Sequence, residues 1–65
     1  MRLEIGGMTC GHCEKAVTEA LRQVPGVDKV TVSFKEGLAE VDGLAPAEDL
    51  IAAVVEEGYR AKVLP

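Results

Sequence analysis

Turn signals cut this chain into runs that fit only a small layered domain. Gly6-Gly7, Pro25-Gly26, Gly37, Gly43, Pro46 and Gly58 fall between apolar stretches. Glycine reaches backbone conformations that other residues resist, and proline ends helices, so each signal marks an element boundary. Between the marks the apolar period switches back and forth. Arg2 to Ile5 alternates, with Leu3 and Ile5 on one face, as a half-buried strand does. From Cys13 the step becomes helical: Cys13, Val17, Ala20, Leu21 and Val24 share one stripe, and Glu14, Lys15, Thr18, Glu19 and Arg22 cover the other side. Thr9 is a candidate N-cap for this helix, and Pro25-Gly26 stops it.

The second half repeats the plan. Val27 to Phe34 alternates, Lys35-Glu36-Gly37 makes a short turn, and Leu38 to Val41 returns as an antiparallel partner. Pro46 suits the first position of a second helix, with Glu48 and Asp49 near its positive end. Leu50, Ile51, Val54 and Val55 form its expected buried stripe, and Gly58 its stop. Tyr59 to Leu64 closes the chain as a strand with Arg60 and Lys62 outward. The order is β-α-β-β-α-β. Right-handed crossovers place both helices on one face of a four-stranded antiparallel sheet, an α+β, ferredoxin-like sandwich. The 65 residues form a single domain, residues 1–65.

Composition narrows the partners. A net charge of −4 argues against nucleic acid, which demands clustered Lys and Arg, and disfavours anionic membrane surfaces. No apolar run approaches the ~20 residues that span a bilayer, and residues 1–6 lack the apolar stretch of a signal peptide. A cytoplasmic protein is expected. Two cysteines are too few for the disulfide framework of a small secreted domain.

Both cysteines and the single histidine lie in Gly7-Met8-Thr9-Cys10-Gly11-His12-Cys13, between the first strand and the first helix. The unpaired amides and partial positive charge at a helix N-terminus favour a thiolate. Cys13 shares the inward stripe with Val17 and is expected to be the less exposed thiol; Cys10, on the loop, is expected to be the entry ligand. Two thiolates make a poor structural zinc site, which wants four ligands, and a good site for a soft ion such as Cu(I). Together with Cu(I) they carry a charge of about −1, which the helix terminus tolerates. A third thiolate from a partner can then join before one of the first pair leaves.

The seven-residue motif, the element order, Val24-Pro25-Gly26-Val27 and Glu57-Gly58-Tyr59 resemble the heavy-metal-associated domain family, and within it the small bacterial copper chaperones of the CopZ type. The resemblance covers essentially the whole chain. It implies that Cys10 and Cys13 bind Cu(I), and that the loaded domain docks on a copper-transporting P-type ATPase or a copper-responsive regulator. Zinc-, cadmium- or lead-handling relatives often place an aspartate where this chain has Thr9. Bacterial copper chaperones often have tyrosine at the place of Tyr59, near the metal loop. The resemblance also implies that Met8 points inward beneath the loop.

The reading is of a carrier and not an enzyme, since no catalytic carboxylate pair is visible. Other readings stay open beside it. Met8 offers sulfur, but fits a core plug better. His12 offers nitrogen, but belongs to the first helical turn on the side away from Cys13 and Val17, and is expected to be exposed. Tyr59 shields the loop, finishes the core, or does both. Lys15 and Arg22 either orient a partner or are ordinary solvated charges. The start at Met1 and the stop at Pro65 suggest a complete small protein; the rival is the N-terminal metal-binding domain of a transport ATPase. A mercuric-ion carrier is a further rival, because Hg(II) is equally satisfied by two thiolates, and Zn(II) is a candidate in vitro. From another class comes a dithiol redox protein, since redox motifs also place C-x-x-C at a helix start. The apo protein is expected to be monomeric, with a copper-bridged dimer through facing loops left open.

Overall fold

A computed structural model of the chain describes residues 1–8 and 11–65. Its elements run β1 (Arg2–Gly6), α1 (Gly11–Arg22), β2 (Val27–Ser33), β3 (Leu38–Gly43), α2 (Ala47–Glu56) and β4 (Arg60–Leu64). The four strands form one sheet in the order β2-β3-β1-β4, with every neighbouring pair antiparallel. This is the ferredoxin-like sandwich that the alternating periods require.

The register shows why one face of the sheet is covered. Along β1, Leu3 and Ile5 are buried while Arg2 and Glu4 are exposed; along β3, Ala39 and Val41 are buried while Glu40 and Asp42 are exposed. Against the apolar face α1 sets Val17 and Leu21, and α2 sets Leu50 and Val54. Val24 and Ala45, both in loops, complete the core. Among the described residues no polar or charged residue is buried. The opposite face is a lattice of cross-strand partners: Lys29 lies opposite Asp42, Glu4 opposite Lys62, and Arg2 opposite Glu40, whose Oε1 is 3.9 Å from Arg2 Nε. Such exposed pairs add little stability, and their effect is to keep that face wet.

Several boundaries differ from the periodicity. Helix α1 begins at Gly11, two residues before the apolar stripe does. Strand β3 runs on past Val41 to Gly43, and β4 starts at Arg60, one residue later than expected. Pro46 is the cap of α2 rather than its first helical residue. Its φ of −65° suits a helix, but its ψ of 143° is extended, and its carbonyl accepts from the Asp49 and Leu50 amides at 3.1 and 3.3 Å.

The buried stripe of α2 is also narrower than expected. Val55 is 54% exposed and Ile51 half-buried, because Leu50 and Val54, four residues apart, already point straight at the sheet. At the other end the expected stop holds. Gly58, at φ 93°, donates to Val55 O at 2.9 Å and Tyr59 to Val54 O at 3.3 Å, the paired bonds of a Schellman motif. That motif fixes where Tyr59 leaves the helix.

Candidate metal site

Three described segments meet at one end of the sheet: Gly7-Met8 where the chain leaves β1, the turn at residues 34–37, and the Gly58-Tyr59 link into β4. Two contacts join them. The Ile5 amide donates to Gly37 O at 2.7 Å, so the β2–β3 turn is tied to the last part of β1. The Tyr59 ring lies against Gly7, with Cδ1 3.5 Å from where a side chain on Gly7 would begin.

Cys13 is the third residue of α1 and is half-buried, one turn before the fully buried Val17. This is the position that the helical stripe predicts. Its place in the first helical turn sets it near amides that have no intrahelical acceptor and carry partial positive charge. His12, the preceding residue, is exposed, as its place off the stripe implies. Met8 is half-buried and packs against the core, alongside Tyr59. The core-plug reading of Met8 therefore has the packing that it needs, and Tyr59 both finishes the core and covers the start of the loop. Cys10, expected to be the exposed thiol, and Thr9, the candidate cap and the clue to metal choice, lie outside the described residues.

Glu14 is expected on the solvated side of α1, and the structure corrects that expectation. It is half-buried, and its Oε2 accepts a hydrogen bond of 3.0 Å from the Phe34 amide, twenty residues away. Thr18 bonds back to the Glu14 carbonyl at 2.8 Å. The signal available was weak: Glu14 stands three residues before Val17 and seven before Leu21, at the margin of the buried stripe. Lys15 and Arg22 are exposed.

Among the described residues no group of three or more His, Cys, Asp or Glu side chains is placed to hold a metal ion. Nor, among them, is any helix long and apolar enough to cross a membrane.

Comparison with known proteins agrees with the fold. Residues 2–60 match the family described as the heavy-metal-associated domain. A mercuric reductase of Serratia marcescens is 47% identical over 62 residues, which is 91% of this chain and 13% of that protein. The chain spans between 11% and 13% of the length of the curated relatives it matches first. Among solved structures, a copper binding domain from HMA7, a P-type ATPase, superposes with a TM-score of 0.95 at 31% identity, over 100% of this chain and 92% of that one. The apo copper chaperone of Enterococcus hirae gives 0.89 at 33% identity, over 97% of each chain. The match over residues 2–60, on a sheet order and helix placement shared with these structures, shows that the chain belongs to the heavy-metal-associated domain family.

Proposed function

We propose that this domain carries one Cu(I) ion on Cys10 and Cys13 and passes it to a protein partner by thiolate exchange. The observation that carries the reading is the place of Cys13. It is half-buried in the first turn of α1, three residues after the other cysteine, at the end of the sheet where the three segments meet. A thiolate at such a position gains from the helix terminus. Two thiolates satisfy a soft d¹⁰ ion and leave room for a third. Thr9 brings no carboxylate that would supply oxygen to Zn(II).

Transfer follows from incomplete coordination. Cu(I) arrives on Cys10, and Cys13 closes the site. A partner thiolate then adds to make a three-coordinate intermediate, and the two domain sulfurs leave one after the other. A second partner thiolate takes the place of the last domain sulfur, so after each exchange the ion is back on two thiolates with a charge of about −1, and no electron moves. The protein is a carrier and not a catalyst. Its partner would present a similar cysteine pair, as a copper-transporting P-type ATPase or a copper-responsive regulator would. Support comes from the likeness to the Enterococcus hirae copper chaperone and to the copper binding domain of HMA7.

A second reading takes Hg(II) as the cargo. The 47% identity to the Serratia marcescens mercuric reductase favours it, and the coordination chemistry allows it. Anaerobic competition of Cu(I), Hg(II) and Zn(II) for the reduced protein separates the readings. One Cu(I) per chain, retained against excess Zn(II), is the expected result. A preference for Zn(II) would overturn both readings. Cu(I) held no more tightly than a weak thiol chelator would hold it, with Hg(II) retained, would move the assignment to mercury.

A further inference from the structure

The two ends of the cysteine loop are fastened to the same four-residue turn. On the β1 side the Ile5 amide donates to Gly37 O at 2.7 Å. On the α1 side the Phe34 amide donates to Glu14 Oε2 at 3.0 Å. Phe34 and Gly37 are the first and last residues of the turn between β2 and β3. The first bond joins two backbones and forms with almost any side chain at either residue. The second exists only because residue 14 carries a side-chain oxygen of the right length. Glu14 also follows Cys13 directly, so whatever holds its side chain limits how the first turn of α1 can rotate or fray.

We propose that Glu14 is a positioning residue for the metal site: by accepting from Phe34 it clamps the first turn of α1 to the β2–β3 turn and so fixes the setting of Cys13. The proposal rests on the reading of Cys13 as a metal ligand. Its chemistry explains why an acidic residue is tolerated beside a thiolate. The carboxylate is committed to a backbone amide of another element, and a hydrogen bond to a charged acceptor is stronger than one to a neutral acceptor. Losing it leaves the half-buried Phe34 amide without that acceptor and frees the end of the helix. A more mobile Cys13 closes on the ion less often, and the loss falls on affinity for the metal.

The test compares Glu14→Ala with Glu14→Gln. Both remove the negative charge, but only glutamine keeps an oxygen within reach of Phe34. Anaerobic Cu(I) competition against a chromophoric chelator should show affinity falling about tenfold or more in Glu14→Ala, at unchanged one-to-one stoichiometry, with Glu14→Gln within about threefold of wild type. Amide exchange at Phe34, followed on the apo proteins by NMR, should accelerate at least tenfold in the alanine variant and stay protected in the glutamine variant. Val41→Ala, a cavity variant at the far end of β3, controls for general loss of stability and should leave Cu(I) affinity of the folded protein unchanged.

Equal shifts in both Glu14 variants would mean that charge and not positioning is at work, and would overturn the proposal. So would wild-type affinity in Glu14→Ala. The underlying reading fails differently: there Cys13→Ala holds Cu(I) as tightly as wild type, whatever residue 14 is.

Discussion

Cys10→Ala and Cys13→Ala are each expected to lose Cu(I) affinity by well over a hundredfold while keeping the fold. Removing a group that merely supports a metal ligand typically costs about 10–100-fold, and removing one of only two ligands costs more. At Cys13 the structural price is small. The residue is half-buried, sits in an α-helix, and alanine is the best helix former. Circular dichroism and urea midpoints of Cys13→Ala should therefore stay close to wild type while the chelator competition collapses. The two single variants differ in what remains. With Cys10 gone, the half-buried Cys13 is left; with Cys13 gone, only Cys10 is left. Neither residual site should hold copper against a bidentate chelator.

The second large effect belongs to a residue far from the thiols. Gly43→Ala is expected to destabilise the fold by about 3 kcal/mol or more, which rivals the whole stability that a core of this size supplies. Gly43 ends β3 at φ 134°. A methyl group there would run into the carbonyl oxygen of Gly26, and would lie 2.8 Å from Asp28 N and 3.1 Å from Val27 Cα. All of these are backbone atoms of the β2 entry, where the β2–β3 register shifts between Val27 and Lys29. A flexible side chain can step aside, but a paired strand cannot. Gly26 O also accepts from the Leu44 amide at 2.8 Å, so pushing it away costs that bond as well. Urea unfolding by circular dichroism measures the loss. Leu44→Ala next door, at a residue 95% exposed, supplies the control and should stay within about 0.5 kcal/mol of wild type.

Where a local period sets the structure, the sequence was readable. Leu3 and Ile5 alternate with Arg2 and Glu4 because one face of β1 meets the helices and the other meets water. Val17 and Leu21 recur at the helical step and are fully buried. The six elements, their order and the sheet-and-helix layers follow from such patterns. So do the half-burial of Cys13 and the exposure of His12. The misreadings all depend on geometry that no period encodes. Val55 matches the apolar stripe of α2, but two residues at a four-residue step already fill the space above the sheet. Pro46 carries a helical φ, and only its ψ decides that it caps the helix. Glu14 looks like a solvated acid because its partner, the Phe34 amide, is brought alongside by tertiary folding and has no signature near residue 14.

The metal site divides in the same way. The spacing of the two cysteines and the helix start imply a soft ion. The choice between Cu(I) and Hg(II) depends on affinities that both share with thiolate pairs. The central claim is that two sulfurs, and nothing else from this chain, hold the ion. X-ray absorption at the copper edge of the anaerobically loaded monomer tests it most directly. The expected first shell is two sulfur scatterers per copper, rising to three when a small thiol is added. A shell that contains nitrogen from His12, or one that is unchanged in Cys13→Ala, would contradict it.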